Sequence, residues 1–190
     1  KRAFLAKNAI DDDGLANSDF KSKIIEYSEV QRKKSSVYNH WYNIAISDLV
    51  TCKDVDTAPK AIADRLNIST EQVRVSLTLL EREGFIVKKG NQWEKASEKI
   101  RFATTHSMES IRSFHGQMID LAKRELTLAT TDEAFNRRLI NGVTMAVNPA
   151  QLEKAKTRLN DALCEIAEIL TEGDCTQVYQ LNCQLFPLTK

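Results

Sequence analysis

Residues 57–96 constrain the chain most, because they read in order as helix, tight turn, second helix, glycine stop and hairpin. Asp56 or Thr57 is placed to cap a helix with Pro59 in its first turn, where the missing N–H costs nothing. Ile62, Ala63 and Leu66 form the apolar stripe of that helix, and Asn67-Ile68 make the turn after it. Ser69, followed three residues later by Gln72, is a capping box, so a second helix starts at Thr70 and buries Val73, Leu77 and Leu80. Gly84 stops it. Phe85 to Lys88 and Gln92 to Lys95 then flank Gly90-Asn91, a pair suited to the positive φ angles of a two-residue hairpin turn. The order predicts a winged helix-turn-helix with the hairpin as its wing.

With the buried row removed, the second helix is left with Thr70, Glu71, Gln72, Arg74, Val75 and Thr78 on its outer face, most of them in its N-terminal half. A recognition helix enters the major groove with that end leading, where Arg reads guanine, Gln reads adenine and Thr or Val methyls touch thymine. The predicted DNA contacts are therefore Thr70, Gln72, Arg74, Val75 and Thr78, with Arg74 foremost. Lys88 and Lys89 on the hairpin, with Lys95 nearby, would meet phosphates and add affinity without sequence information. A second reading stands beside this one. Winged helices also serve as protein-interaction modules, and Glu71, Glu81 and Glu83 would repel phosphate if they faced it.

The 190 residues, 42% of them hydrophobic, hold one large or two small cores. A formal net charge of +1 rules out a general basic coat, so any DNA contact must come from local patches. Cys52, Cys164, Cys175 and Cys183 form no CxxC and lie at irregular spacing, which suggests buried free thiols in a reducing cytoplasm. No apolar run approaches the ~20 residues a membrane crossing needs, and no signal-peptide pattern opens the chain. A cytoplasmic location is expected. Since residue 1 is Lys rather than Met, a preceding piece is expected too.

Ahead of the winged segment, residues 2–10 suggest a helix end broken by Asp11-Asp12-Asp13-Gly14, and Asn17 or Ser18 caps a helix carrying Phe20, Ile24, Tyr27 and Val30. Its basic end, Arg32-Lys33-Lys34, suits a helix C-terminus. Residues 37–46 are the most aromatic stretch, and Trp41, Ile44, Ala45, Asp48 and Leu49 fall at helical spacing, as expected of the first helix of the winged domain. Tyr38, His40, Trp41 and Tyr42 are a candidate ligand cage, though an aromatic stripe at this spacing is more often core.

After the wing and a connector, residues 107–129 predict an amphipathic helix with Met108, Ile111, Phe114, Met118, Leu121 and Ala122 inward. Residues 139–147 alternate like a strand. Asn148-Pro149-Ala150-Gln151 opens another helix, which repeats Leu152, Ala155, Leu159, Ala162, Leu163, Ile166, Ile169 and Leu170 and stops at Gly173-Asp174. Residues 178–186 alternate over nine positions up to Pro187 and predict a last strand with Tyr179, Leu181, Cys183 and Leu185 facing in. The fold class is thus α+β, mainly α, in three parts: an N-terminal helical segment (1–35), the winged helix-turn-helix domain (36–97) and a C-terminal α-β-α-β dimerisation or sensing domain (98–190). Two strands alone make a marginal sheet, so a second copy of the chain is expected to complete it, giving a homodimer whose recognition helices reach half-sites ~34 Å apart.

Catalysis finds no foothold in the sequence. His40, His106 and His115 lie on separate segments, no HExxH or ExxH pair exists, and the 6 glycines build no phosphate loop. The expectation is a protein that is not an enzyme and needs no metal or cofactor, with double-stranded DNA as partner, a small-molecule or protein effector as a further candidate, and no membrane.

Four stretches carry a family resemblance: the run Tyr38 to Tyr42; the end of the winged core, Leu80-Glu81-Arg82-Glu83-Gly84-Phe85; Phe114-His115-Gly116-Gln117-Met118; and the terminal run from Val178 to Thr189. Together they resemble a bacterial family of transcriptional regulators, expanded in predatory bacteria, with a C-terminal domain of unknown function. The resemblance spans residues 36–190, and its terminal run is the most specific part. It implies a DNA-binding regulator whose relatives usually carry a further Cro-like helix-turn-helix domain upstream, outside this chain. It implies no catalytic residue and no known ligand.

Overall fold

The computed structural model describes residues 35–96, 109–128 and 131–189. The expected helices of residues 2–34 and the connector after the wing lie outside them, as do Met108 and the side chain of Ile111. A 3₁₀ turn, Ser35–Asn39, leads into α1, Trp41–Leu49. Then follow α2, Pro59–Leu66, and α3, Thr70–Arg82, joined through Asn67, whose φ of 52° gives the left-handed turn between them. Asn tolerates that conformation better than most residues. Both halves of the Ser69/Gln72 capping box are made: Ser69 Oγ accepts from the Gln72 N–H at 3.1 Å, and Gln72 Oε1 accepts from the Ser69 N–H at 2.8 Å. Gly84, at φ 72°, turns the chain out of α3.

Strands β1, Ile86–Lys89, and β2, Gln92–Lys95, pair antiparallel with Lys89 opposite Gln92. Of the two loop residues only Gly90 has positive φ, 60°, which fits the turn class that requires glycine at its first central position. The start of α2 departs from expectation. Its N-cap is Ala58, whose N–H donates to Asp56 Oδ1 at 2.9 Å, while Thr57 is drawn inward. The Thr57 hydroxyl donates to Gln92 Oε1 at 2.5 Å and accepts from the Trp93 N–H at 3.0 Å, so the loop before α2 is fastened to the hairpin.

One core gathers these elements. Ile46, Ile62, Val73, Leu80, Phe85 and Ile86 are fully enclosed, each such side chain worth about 1.5–3 kcal/mol of burial. From α4, Glu109–Leu128, Phe114 and Met118 enter the same core, and Tyr38 meets the Phe114 ring edge-on at 6.1 Å. Gln117 locks the junction: its Oε1 accepts from the Trp41 N–H at 3.0 Å and its Nε2 donates to the Asn39 carbonyl at 2.9 Å. His40, the N-cap of α1, makes no side-chain cap, so Gln117 supplies the acceptor that an exposed helix start would otherwise take from water.

Beyond α4 come the short α5, Asp132–Asn136, a 3₁₀ turn at Pro149–Gln151, and α6, Leu152–Leu170. The helix opening is as expected, with Asn148 Oδ1 accepting from the Ala150 N–H at 3.0 Å. Three expectations fail here. Residues 139–147 form no strand and are exposed throughout, and residues 178–186 form none either. Each has the alternation of a strand, but a strand exists only with a partner ladder, and the described residues offer neither segment one. The inward set of the last segment is the reverse of that expected: Val178 packs against the core and Asn182 Nδ2 donates to the Met118 carbonyl at 3.3 Å, whereas Tyr179, Leu181, Cys183 and Leu185 are exposed. Beside these, α6 has no buried residue, because among the described elements none but its own leading turn packs broadly against it. The architecture is mainly α with a single two-stranded sheet.

All four cysteines are free thiols, but only Cys52 is buried; Cys164 and Cys175 are half-buried and Cys183 is exposed. Burial pushes the Cys52 thiol up from its ordinary 9.0, helped by Cys175 and Asp48 and opposed by Arg65.

Candidate nucleic-acid interface

The spacing of α3 turns Val73, Ser76, Leu77 and Leu80 into the core and leaves Glu71, Gln72, Arg74, Val75 and Thr78 exposed, with Thr70 half-buried. Arg74, Val75 and Thr78 thus share one outer face, since residues three and four apart are neighbours on a helix. Arg74 Nη1 lies 3.6 Å from Glu71 Oε2, one turn back, and both side chains are mostly exposed. Thr78 donates to the Arg74 carbonyl at 3.1 Å. Gln72 has committed its carbonyl oxygen to the capping box, so one end of its amide is held in the role of cap. Val75, 61% exposed, is an apolar side chain with nothing over it.

On the hairpin, strand alternation separates the two lysines. Lys88 shares a face with Ile86 and Trp93, and its Nζ sits 5.6 Å from the Trp93 ring centre. Lys89 points to the other face with Val87 and pairs with Glu94 at 2.5 Å. Lys95, mostly enclosed, pairs with Asp48 of α1 at 2.5 Å and so ties β2 to the first helix. From Thr70 to Lys95 there are five cations and four acids. Most are paired locally, Arg82 with Glu83 at 2.9 Å among them; among the described residues Lys88 has an aromatic ring and no carboxylate as its partner. Exposed pairs of this kind are weak, worth at most about 1 kcal/mol, so an incoming phosphate competes for these cations at small cost.

The four candidate cage residues divide. Tyr38 is buried against Phe114, whereas His40 stacks on Tyr42 at 5.0 Å and Trp41 meets Tyr42 edge-on at 5.9 Å. Two positioning residues escaped the sequence reading. Thr57, a candidate cap beside Asp56, holds the hairpin instead, and Gln117 fixes the start of α1 from 76 residues away. No local pattern signals either, because both bonds join segments distant in the chain.

Among the described residues no group of His, Cys, Asp and Glu is arranged to hold a metal ion, and no helix is long and apolar enough to cross a membrane. The family model for a domain of unknown function, DUF4423, matches residues 21–188. The chain belongs to this family. No curated protein and no solved structure matches it. The DUF4423 match runs unbroken across the α1–α3 module, the hairpin and the whole C-terminal region, so it treats as one unit the elements that Gln117, Phe114 and Met118 pack together.

Proposed function

We propose that the chain is a bacterial, cytoplasmic transcriptional regulator that binds double-stranded DNA through a winged helix-turn-helix, with α2 and α3 as the helix pair and the β1–β2 hairpin as the wing. The observation that carries this reading is the capped helix α3, which keeps Arg74, Val75 and Thr78 uncovered on one face. An arginine, a methyl-bearing apolar side chain and a hydroxyl are groups that read guanine and thymine edges in a major groove. Thr70 and Gln72 lie at the leading end of the helix, and Lys88 and Lys89 on opposite faces of the wing serve as phosphate contacts.

The protein acts as a homodimer in this reading. Support comes from the C-terminal region, where Ile166, Ile169 and Leu170 of α6 and the apolar side chains of residues 139–147 are exposed among the described residues. A second copy would cover them and hold two recognition helices at half-site spacing. A protein-interaction module is the second reading, and the pairing of Arg74 with Glu71 and of Lys89 with Glu94 favours it, since both cations are already partly neutralised.

The test is genome-wide recovery of DNA bound by the full-length protein, followed by binding of the recovered site by the Arg74→Ala variant. Loss of about 1–3 kcal/mol on that site, with non-specific binding nearly intact, is expected. Recovery of no enriched sequence favours the protein-interaction module, and an equal loss on all sequences makes Arg74 a phosphate contact.

A further inference from the structure

We infer that the cleft between α4, the end of α5 and residues 177–182 binds a small organic monocarboxylate with an apolar body. The cleft holds about 480 Å³, within the usual span of about 300–1,000 Å³ for small-molecule sites. Met118, Leu121 and Val178 give it an apolar lining, and its charged groups are Glu125, Arg137 and Arg138.

Arg138 identifies the ligand. Its Nη1 is buried and has no hydrogen-bond partner among the described residues, while its guanidinium carbon sits 5.7 Å from the centre of the Phe135 ring. A guanidinium is always charged and offers donors in a planar fork, and buried donors are ordinarily satisfied. The ring contact gives that fork no acceptor, and Arg138 lines the cleft, so an acceptor admitted there would satisfy the orphaned donor. A carboxylate matches the fork with two parallel bonds. Two of the neighbouring amides are engaged elsewhere: Asn182 Nδ2 donates to the Met118 carbonyl, and Gln180 Nε2 donates to Asn182 Oδ1 at 3.0 Å. Two arginines against one glutamate leave the site one positive charge, which favours a monoanion over a phosphate dianion. The apolar part of the lining, Met118, Leu121, Ala122, Ala134 and Val178, suits a ligand whose body is hydrocarbon.

This inference is independent of DNA binding, because it rests on α4 and the C-terminal region and not on α3 or the wing. The experiment is saturation-transfer NMR with titration of butanoate, hexanoate and benzoate, each beside its own amide, on the full chain and on Arg138→Gln and Arg138→Lys. At least one acid should bind saturably, with its amide weaker by about tenfold or more. Arg138→Gln should lose the acid to the same extent, and Arg138→Lys should keep part of it, since a lysine retains the charge without the fork. Equal binding of acid and amide, retention of the acid by Arg138→Gln, or the absence of saturable binding by all three acids overturns the assignment. If Arg138→Gln fails to fold, the acid and amide comparison on the unmodified chain decides it.

Discussion

Residues 35–96 and residues 131–189 are similar in sequence pattern and opposite in packing. The first stretch has helices with apolar rows, α3 with a capping box, and those rows close on one another: Ile46, Ile62, Val73, Leu80 and Phe85 are all buried. The second also has a capped helix with an apolar row and two alternating segments, yet it buries no residue at all. It supplies fifteen of the twenty large hydrophobic side chains exposed among the described residues. Apolar periodicity therefore determines which side of an element avoids water, but whether anything covers that side depends on a partner element. In the first stretch α1, α2, α3 and the hairpin are each other's partners, with Phe114 and Met118 closing the far side. In the second, apart from the Val178 and Asn182 contacts to the core and α4, the described residues supply no broad partner, which is why a second copy enters the proposed function.

The largest effect that tests this contrast is core truncation. Phe85→Ala should cost about 3–5 kcal/mol in urea unfolding, as large-to-small changes in tight cores do. Val143→Ala, at a residue 75% exposed, should stay within about 0.5 kcal/mol for the isolated chain. A cost above that for Val143→Ala, growing with protein concentration, would mean that a second copy covers this surface. Light scattering gives the same information directly, with a mass of twice 21.5 kDa expected at micromolar concentration and a single-chain mass removing the dimer.

Thr57→Val comes next in size. It keeps the buried volume but leaves the Trp93 N–H and Gln92 without their partner, at a cost of about 1–3 kcal/mol, and should raise hydrogen exchange in the hairpin before the helices. Uniform exchange across the module would show that the hairpin is held by its core contacts instead. Ser69→Ala removes the cap of α3 and should cost about 1 kcal/mol, read as a lower unfolding midpoint.

The smallest effect is chemical. Cys183 is exposed and Cys52 is buried with its thiol pushed up, so iodoacetamide at neutral pH should label Cys183 well before Cys52. A thiol whose folded value is raised contributes stability that is fully present below 9.0 and is lost as pH rises through its folded value, so Cys52 should weaken the fold only in alkali. Labelling of both at one rate would mean the core opens at the end of α1.

The module was legible in the sequence because its signals are local. The Ser69/Gln72 box, Gly84 and Gly90 each fix backbone geometry within a few residues, and Val73, Leu77 and Leu80 followed from helical spacing alone. What the sequence did not reveal lies in long-range contacts. Thr57 resembles a cap in sequence and becomes a clasp only because Gln92 and Trp93 lie beside it. Gln117 has no local signal at all. Residues 139–147 and 178–186 were misread as strands because alternation was visible and the absence of a ladder partner was not. The outward residues of α3 were found by elimination once its buried row was known, which is the part of the candidate site that periodicity does reach. Arg138 was passed over because its significance lies in a buried nitrogen, a property of packing alone.

The central claim, that α3 and the hairpin form a DNA interface, is tested most directly by fluorescence anisotropy of a mixed-sequence duplex titrated with the chain over a series of salt concentrations. Binding should weaken linearly in log K against log salt, and the Lys88→Ala, Lys89→Ala double variant should reduce the slope by about one to two counterions. No binding at low salt, or a slope that the double variant leaves unchanged, would contradict the account.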